Sequence, residues 1–589
     1  MSETQKASSG KPRVQCAGFD SGEAEGGPRA GGFDSNEVDR EPGTAGPVSS
    51  GRRSFLGAAA ALITASVAGV TPLAAKAAPA QDITPESDIG PLSDRKRAKQ
   101  SCNLRISAAK TELQRAVADH PNNGDEQLYP NKIGNFSKGL PHNSLGEVNL
   151  AAYNSLIAAL TSGSGADFEA IVLGVGKKLT NPQAGLAFDM MGADSHALVQ
   201  APAPALSSAE EASEMGENYW QALTRDIPFS QYGTNPVTNQ AVADMSRFSD
   251  FRGPKAGGQV TPDTLFRSGF PGTLGGPYIS QFMWMNTPFG VERIDRQMQT
   301  TVAGVDYLTS YSDWLNVQNG GSAPADQFDP VRRYIRNGRD LGQWVHIDVL
   351  FQAYFNGLLI LSSIGARLDA GNPYVHSRTQ TGFGTLGDPY NASIVAAVAK
   401  MALKAVWYQK WYVHRRLRPE EFAGRIHNHV THAATYPIHS DILNSAVLGQ
   451  LFNKYGAYLL PMAFPEGCPT HPAYGAGHAT VAGACVTVLK ALFDESFVIP
   501  NPVQASDDGL SLQPYTGPDL TVGGELNKLA ANVAIGRNIA GVHWRTDATE
   551  SLKLGEEVAI RFLTEEHECF NEQYAGLSLT KFDGATVII

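Results

Sequence analysis

Apolar residues recur at helical spacing along much of this chain, and that periodicity restricts most of it to a helical fold. In one segment the spacing is four, three and four positions, which is one helical face, and the residues are Val395, Ala399, Ala402 and Val406. Helices are predicted at 206–225, 393–413, 478–493 and 525–540. Gly- and Pro-rich loops are expected at 252–277, 368–391 and 496–524.

Two details complete this prediction of an all-α protein. The segment 206–225 carries a capping-box signature from Ser207 to Glu210, which marks the start of a helix. Alternation typical of strands is sparse and brief, and 577–589 is interpreted as a short strand or a tail.

Composition favours a large folded body. Of the 589 residues, 42% are hydrophobic and 18% are charged, as in chains that mostly fold. The net charge of −11 argues against a nucleic-acid partner. The five cysteines show no CxxC spacing, which disfavours a disulfide scaffold and a cysteine zinc site.

The N-terminal part has the composition of an export leader. Residues 1–51 are rich in Gly, Ser, Pro and charge, so we expect disorder because such a segment cannot repay the entropy of folding. Residues 52–77 begin with Arg52-Arg53 and continue as a weakly apolar run, which resembles a twin-arginine signal. A membrane anchor is the alternative, since 54–75 could span about 30 Å. Because Ala and Gly keep the run weakly apolar, we predict export to the periplasm or outside the cell, with no stable membrane span.

The first candidate patch places cations near the end of a predicted helix. Lys410 follows Val406 by four positions and continues its apolar face, where a cation costs free energy unless an anion meets it. Arg418 precedes Pro419, which is expected to end the helix and leave Arg418 in a loop. Side chains that snorkel from a helix end are the alternative explanation.

The second patch is a glycine-rich turn before a helix. Gly475 and Gly477 free the backbone, so the amides of Gly477 and His478 are expected to point outward from a positive helix N-terminus, where anions bind. His471 lies seven residues before His478. The alternative is an ordinary turn with hydrogen-bonded histidines.

The third patch again puts a cation on an apolar helical face. Arg537 follows Val533 by four positions, and His543 and Asp547 are also four apart, so we expect these two to share a helical face. The carboxylate would orient the imidazole and make its other nitrogen a better ligand or nucleophile. An ordinary helical His–Asp pair is the alternative.

Together the patches predict a pocket for a tetrahedral oxyanion such as phosphate or vanadate. Lys410, Arg418, Arg537 and a helix N-terminus all supply positive charge. The chain has no HExxH motif, no cysteine ligand set and no Walker or GxGxxG motif between a strand and a helix, which disfavours zinc and nucleotide binding. Histidines among these cations suggest phosphoryl-type chemistry or a bound oxyanion cofactor.

These residues resemble the signature that vanadium-dependent haloperoxidases share with a group of acid phosphatases. The matching residues are Lys410, Arg418, Pro419, Gly477, His478, Arg537, Gly541, His543 and Asp547. Seven residues separate Lys410 from Arg418, and His471 precedes His478 by seven positions. Both spacings are similar to those of the algal-type bromoperoxidases. The resemblance runs from about residue 100 to 570.

Two neighbouring positions depart from the signature. Ala476 stands where the family has Ser, and Gly475 stands where it has Pro. The Ser would donate a hydrogen bond to an oxyanion oxygen, so its loss weakens binding by roughly 1–3 kcal/mol. Because the three cations and the Gly477 amide remain, we expect activity to be retained, with altered affinity or halide scope.

The resemblance implies a vanadate cofactor and a haloperoxidase reaction. Vanadate would bind covalently to a nitrogen of His543 and act as a Lewis acid without changing oxidation state, and Asp547 would orient His543. Hydrogen peroxide would oxidise bromide or iodide to hypohalous acid, which halogenates small organic acceptors. The implied vanadate-binding residues are Lys410, Arg418, Ala476, Gly477, Arg537 and His543.

The resemblance also assigns proton and halide chemistry. His478 is the implied general acid–base, Lys410 polarises the peroxide, and His471 tunes the proton supply. Trp407 and His471 are the implied lining of the halide approach, although packing alone would explain Trp407.

Two other functions stay open at this point. A phosphatase would use His543 as its nucleophile and His478 as its acid, but the Lys410–Arg418 spacing argues against it. A non-catalytic oxyanion-binding protein would account for Ala476.

By the same resemblance we expect two four-helix bundles packed around the vanadate pocket. An N-terminal helical region at 78–340 and a C-terminal region at 341–589 that carries the site would form one continuous body. Family members of this branch are homo-oligomers, so we expect one here. The loop at 368–391 permits a calcium site without requiring one.

Overall fold

The structure is a computed structural model that describes residues 90–589. The predicted extension at 1–51 and the predicted signal at 52–77 lie outside the described residues. The described residues divide into two units, 90–107 and Ala108–Ile589. The first of these units includes the first part of a helix. The division predicted at 340/341 stays a prediction.

Helices dominate the described residues. The α-helices are α1 (Asp94–Gln114), α2 (Asp125–Leu128), α3 (Leu150–Ser162), α4 (Gly165–Glu169), α5 (Ala209–Thr224), α6 (Pro236–Met245), α7 (Gln281–Trp284), α8 (Tyr311–Gln318), α9 (Gly338–Trp344), α10 (Gln352–Ser363), α11 (Asp388–Tyr408), α12 (Pro419–Val430), α13 (Ser440–Leu443), α14 (Ala446–Tyr455), α15 (Gly477–Leu492), α16 (Val522–Ile539) and α17 (Arg545–Glu568). Short 3₁₀ turns lie at Pro182–Leu186, Ser195–Ala197 and Phe229–Gln231, and a π-helical turn lies at Gln409–His414.

The strands of the described residues form three separate antiparallel pairs. They are β1 (Thr287–Phe289) with β2 (Glu292–Ile294), β3 (Val503–Ala505) with β4 (Leu512–Pro514), and β5 (Ser578–Thr580) with β6 (Thr586–Ile588). Thr287 pairs with Ile294, Val503 with Pro514, and Ser578 with Ile588. The all-α prediction is confirmed, because these pairs are short and lie between helices or at the chain end.

The four predicted helices are present as α5, α11, α15 and α16, with small differences at their ends. Ser208, and not Ser207, caps α5 and accepts a hydrogen bond from the Glu211 amide at 3.1 Å. The helix predicted at 393–413 ends as an α-helix at Tyr408, and the π-helical turn Gln409–His414 takes the place of its predicted last turn. The predicted loop 496–524 contains β3 and β4, and 577–589 contains the β5–β6 pair.

Two apolar clusters form the interior. The first involves α11, α15, α16 and α17, and the second involves α5, α6, α12 and α14. The apolar faces predicted from the sequence are buried in the first cluster, as Val395, Val406 and Val533 illustrate. Two of the segments that carry the candidate site, the one after α11 and the one before α15, connect helices of different clusters. No helix within 90–589 has the length and apolar character needed to cross a membrane.

Close contact between α15 and α17 depends on two glycines. A Cβ added at Gly555 would lie 2.0 Å from the Thr480 carbonyl oxygen, and one added at Gly483 would lie 2.0 Å from the Leu552 carbonyl oxygen. The absence of a side chain at both positions lets the two backbones approach each other. This contact holds the start of α15, which borders the candidate site, against the second turn of α17, where the Ala476 amide donates to Ser551 Oγ at 2.8 Å.

Candidate active site

Lys410 lies in the π-helical turn that follows α11 and is completely buried. Its Nζ donates hydrogen bonds to the carbonyl oxygens of Pro472 at 2.9 Å and Ala473 at 3.2 Å. The same Nζ lies 5.6 Å from the centre of the Trp407 ring. Lys410 therefore joins the end of α11 to the loop before α15.

Arg418 lies in extended backbone immediately before α12, with Pro419 at the first helical position. The expectation that Pro419 ends the preceding helix is wrong, because α11 already stops at Tyr408 and the π-helical turn follows it. Pro419 instead begins a helix, where its missing N–H costs nothing and its fixed φ suits the first turn.

The Arg418 guanidinium brings two histidines together. Its Nε donates to the His471 carbonyl oxygen at 2.9 Å, and one terminal nitrogen lies 2.9 Å from His471 Nδ1. The other terminal nitrogen donates to the Val542 carbonyl oxygen at 2.8 Å and lies 3.0 Å from His543 Nε2. Arg418 is fully buried, so these contacts replace its water.

A left-handed turn at Gly541 returns the chain toward Arg537 after α16 ends. Gly541 has φ +92°, and a Cβ there would lie 2.9 Å from Met462 Sδ. The Val542 amide donates to the Arg537 carbonyl oxygen at 3.1 Å, which closes the helix end in the usual way for such a turn. The spacing Arg-x3-Gly-x-His thereby places His543 near the last turn of α16.

Arg537 itself is buried in that last turn. One terminal nitrogen donates to the Val345 carbonyl oxygen at 2.9 Å, and its Cζ lies 5.3 Å from the centre of the Phe464 ring. The Arg537 guanidinium is thus held by the segment that follows α9 and by the loop that contains Phe464.

His543 and Asp547 contact each other, although they do not share a helical face. His543 Nδ1 lies 2.8 Å from Asp547 Oδ2, but His543 precedes Trp544, the N-cap of α17. Asp547 occupies the first turn and also accepts a hydrogen bond from the Trp544 amide at 3.2 Å. The carboxylate therefore caps the helix and binds the imidazole together, so the predicted pairing holds while its predicted helical geometry is wrong.

Sequence reasoning missed a buried cation behind this pair. One terminal nitrogen of Arg416 donates to Asp547 Oδ1 at 2.9 Å, and the other donates to Glu214 Oε2 at 2.8 Å and to Glu211. Its Cζ lies 4.6 Å from the centre of the Trp544 ring. Arg416 is fully buried. The sequence shows the charged run around Arg416, but it does not show that Glu211 and Glu214 on α5 are its partners.

The neighbours of His543 fix its tautomer. Arg418 has only donors, so the contact to Nε2 requires that nitrogen to accept. The proton of the neutral ring therefore lies on Nδ1, where the Asp547 carboxylate accepts it. Burial raises the pKa of Asp547 to about 6, against the lowering effect of the Arg416 charge.

The electrostatics of the cluster keep the His543 ring neutral. Burial lowers the pKa of His543 well below its ordinary value, and nearby positive groups lower it further. Those groups, in decreasing order of effect, are Arg418, Lys410, Arg537 and His471. The Nε2 lone pair of a neutral imidazole, which here accepts from Arg418, is the kind of group that can bind a metal centre when that donor is replaced.

The start of α15 lies where the sequence placed it. Gly477 is the first helical residue and Ala476 is its N-cap, and the Ala476 amide donates to Ser551 Oγ at 2.8 Å. A Cβ added at Gly477 would lie 3.3 Å from the Trp407 ring. The first-turn amides of α15 therefore begin beside the Trp407 ring, which itself lies near Lys410.

Two further histidine contacts complete the geometry. His478 Nε2 lies 2.9 Å from Asp348 Oδ1, across 130 positions of sequence, and sequence reasoning gave no signal for that carboxylate. The rings of Trp407 and His471 lie 5.0 Å apart, tilted by 44°. His478, Trp407 and His471 were predicted as site residues from the sequence, and Asp348 was not.

Within residues 90–589 no group of three or more His, Cys, Asp or Glu side chains is arranged to hold a metal ion. Among those residues, therefore, the loop at 368–391 contributes to no such calcium cluster. The candidate site has a different character, because its charged groups are mainly cations. The fold and this site define a class: a helical protein with a buried cluster of cationic side chains around a neutral imidazole.

Comparisons with known proteins identify the family. The VCPO second helical-bundle domain matches residues 392–572, which span Lys410 to Asp547. The chain is 35% identical to the vanadium-dependent bromoperoxidase of Ascophyllum nodosum over 510 residues, covering 82% of this chain and 91% of the relative. It is 34% identical to the enzyme of the same name from Corallina pilulifera over 590 residues, covering 84% and 98%.

A solved structure agrees with these sequences. The homohexameric second vanadate-dependent bromoperoxidase of Ascophyllum nodosum superposes with a TM-score of 0.82 at 34% identity, covering 90% of this chain and 95% of that one. The chain belongs to the family of vanadium-dependent bromoperoxidases, and the haloperoxidase resemblance seen in its sequence is confirmed. None of these relatives is a phosphatase, so that alternative gains no support.

Proposed function

We propose that the protein binds vanadate at this cluster and uses hydrogen peroxide to oxidise bromide, and also iodide, to hypohalous acid. The observation that carries the proposal is the environment of His543. This buried imidazole has its proton directed to Asp547 and its lone pair directed to Arg418. Small organic acceptors would then react with the hypohalous acid.

The donor set fits vanadate, an oxyanion with several negative charges. The positive charges of Arg418, Lys410 and Arg537 all lower the pKa of one buried ring, that of His543. These groups are therefore close enough to one another to act on a single bound anion. In the proposal His543 Nε2 is the ligand, and Lys410, Arg418, Arg537 and the first-turn amides of α15 neutralise the oxygens.

Bound vanadate would supply a Lewis acid that makes peroxide reactive toward halide. His478 would exchange a proton with the reacting groups. Its Nε2 lies 2.9 Å from Asp348 Oδ1. The Asp348 carboxylate fixes the ring orientation, so it acts as a positioning residue.

The halide would approach past Trp407 and His471. Their rings lie 5.0 Å apart, and the Lys410 ammonium lies 5.6 Å from the Trp407 ring centre. In the proposal the cations of Lys410 and Arg418 attract the halide, and Lys410 also polarises the peroxide. His471, held by Arg418, tunes the proton supply.

Bromination of monochlorodimedone tests the function. Purified protein is assayed with peroxide and bromide before and after addition of vanadate, and p-nitrophenyl phosphate hydrolysis is measured without vanadate. We expect vanadate-dependent bromination and no comparable phosphatase activity. Folded protein that hydrolyses the phosphate ester but never brominates would contradict the proposal in favour of a phosphatase, and protein that binds vanadate without either activity would favour a binding protein.

We also propose that the protein is a homo-oligomer, on the basis of the homohexameric relative. Light scattering on the purified protein would give the number of subunits.

Export through a twin-arginine signal is a separate proposal that rests on Arg52-Arg53 and the run after it. Replacement of both arginines by lysine is expected to retain the protein in the cytoplasm, as cell fractionation would detect. Unchanged export of that variant would contradict this proposal.

A further inference from the structure

A short segment after α9 contacts two residues of the site. The Val345 carbonyl oxygen accepts a hydrogen bond from Arg537 at 2.9 Å, and Asp348 Oδ1 lies 2.9 Å from His478 Nε2. We call residues 345–348 the 345–348 segment. Its position therefore affects one cation that would bind oxyanion oxygens and the histidine that would exchange protons.

His346 anchors this segment to the rest of the protein. The ring is 6% exposed, and Nε2 lies 2.7 Å from Glu466 Oε1. It stacks on Phe464 with ring centres 3.7 Å apart and planes 7° apart. Its Nδ1 lies 4.0 Å from Asp326, too far for a direct hydrogen bond.

Phe464 connects this anchor to Arg537. The ring that stacks on His346 also has the Arg537 guanidinium over it, at 5.3 Å from the ring centre. Stacking of this kind favours one orientation of a planar guanidinium. His346 is thus connected to Arg537 in two ways. It stacks on the Phe464 ring, over which the guanidinium lies, and its neighbour Val345 accepts the hydrogen bond from Arg537.

Glu466 is a fixed partner for His346. Its carbonyl oxygen accepts a hydrogen bond from Lys138 Nζ at 2.6 Å. Burial raises the pKa of its carboxyl group, but the His346 imidazole and a charge from Lys177 outweigh that effect and the pKa is lowered. Glu466 is therefore an anion that holds the imidazole by a charge-assisted hydrogen bond.

We propose that His346 is a positioning residue of the active site, which through Glu466 and Phe464 fixes the Arg537 guanidinium for oxyanion binding. The inference rests on the proposed function, because it concerns the vanadate affinity of the site. His346 itself contacts neither the cofactor ligand His543 nor the general acid–base His478. Loss of such an outer partner of a metal site typically weakens affinity or activity about 10–100-fold.

Three substitutions separate the hydrogen bond to Glu466 from the stacking on Phe464. His346→Phe keeps a ring to stack on Phe464 but loses the hydrogen bond to Glu466. His346→Gln keeps a donor for Glu466 but loses the stacked ring. Glu466→Gln removes the charge while it preserves the size of the side chain.

His427→Phe is a matched control. His427 also stacks on an aromatic ring, Tyr311, at 5.2 Å, and accepts a hydrogen bond from the Tyr458 amide at 3.2 Å. These partners are not residues of the candidate site, so this variant measures the effect of replacing a stacked histidine elsewhere in the protein.

Equilibrium dialysis of the vanadate-free protein against vanadate tests the inference, with KM for peroxide and kcat measured in parallel. We expect His346→Phe and Glu466→Gln to raise the vanadate dissociation constant about tenfold or more. His346→Gln is expected to lie between them and the wild type, and His427→Phe to match the wild type. Thermal unfolding of each variant shows whether the fold is kept.

The outcomes distinguish this inference from the proposed function. Wild-type vanadate affinity in folded His346→Phe, or in Glu466→Gln should His346→Phe fail to fold, would overturn the positioning role. Absence of vanadate binding in the wild type would instead overturn the proposed function.

Discussion

At the scale of single residues, His543 shows how two partners set the chemistry of one ring. Asp547 holds the Nδ1 proton at 2.8 Å, and Arg418 lies 3.0 Å from Nε2. A ligand to vanadium needs the second nitrogen unprotonated, and this arrangement provides it. The same ring protonated on Nε2 could not bind a metal centre through that atom.

Asp547→Asn tests that arrangement. The amide oxygen can still accept from Nδ1, but the charge that stabilises the donor ring is lost. We expect the vanadate dissociation constant to rise about 10-fold or more, measured by equilibrium dialysis. An unchanged constant in folded protein would mean that the carboxylate only caps α17.

Ala476→Ser tests the departure from the family signature. Ala476 is the N-cap of α15 and is buried, so a hydroxyl added there can donate to an oxyanion oxygen. We expect vanadate binding to strengthen by about 1–3 kcal/mol. Ala482→Ser, which adds a hydroxyl to a buried position later in the same helix, serves as the control and is not expected to strengthen binding.

Residue types and spacing were enough to predict the cations, the histidines and Asp547 as candidates, because each lies in a short motif. They were not enough for Asp348, Arg416 or His346. Asp348 meets His478 across 130 positions, and Arg416 meets Glu214 across 202. Contacts between distant segments depend on how the helices pack, and one sequence does not record that.

At the scale of elements, contact between α15 and α17 holds the start of α15, whose Ala476 amide donates to Ser551 Oγ of α17. Gly555→Ala is expected to destabilise the protein by about 1–3 kcal/mol, the usual cost of forcing extra atoms into a packed core. The added Cβ would lie 2.0 Å from the Thr480 carbonyl oxygen and 2.6 Å from the Ala484 nitrogen, and neither backbone atom can move away alone. Chemical denaturation gives the free energy of unfolding.

Gly449→Ala is the matched control for that prediction. Gly449 lies in α14, and a Cβ there would meet nothing within 4 Å. An Ala at this position is expected to leave stability unchanged or to raise it by up to about 1 kcal/mol, because Ala favours the helix. Equal effects of the two substitutions would show that helix propensity, not packing, decides the result at Gly555.

Helices were more predictable than the turns between them. Apolar periodicity located α11 and α16, because apolar residues recur at helical spacing along each of them, although α16 is buried on all sides. It did not predict the π-helical turn at Gln409–His414 or the helix that begins at Pro419. Both occur where the chain passes between the two apolar clusters, and tertiary contacts such as those of Lys410 decide the local backbone there.

At the scale of the whole molecule, buried neutral histidines make stability depend on pH. Burial lowers the pKa of His414 from 6.5 to about 3, with smaller contributions from Arg415, His120 and Arg416. In the unfolded chain His414 therefore binds a proton near pH 6.5, whereas in the folded chain it does so only near pH 3. The stability is complete above pH 6.5 and falls by about 1.4 kcal/mol per pH unit below it.

His414→Phe is expected to remove this dependence for one group. The ring keeps its edge contact with Tyr474, whose centre lies 4.8 Å away. Between pH 7 and pH 5 the wild type is expected to lose about 2 kcal/mol more stability than the variant. Denaturant unfolding at both pH values measures this, and equal losses would show that His414 accepts a proton in the folded protein.

We infer that the cluster around His543 is a vanadate site that supports halide oxidation. The most direct test is bromination by vanadate-free protein titrated with vanadate, in the wild type and in His543→Ala. We predict that wild-type activity rises from zero and saturates at one vanadate per chain, while His543→Ala stays inactive although folded. Full activity in His543→Ala, or bromination by the wild type that does not depend on vanadate, would contradict it.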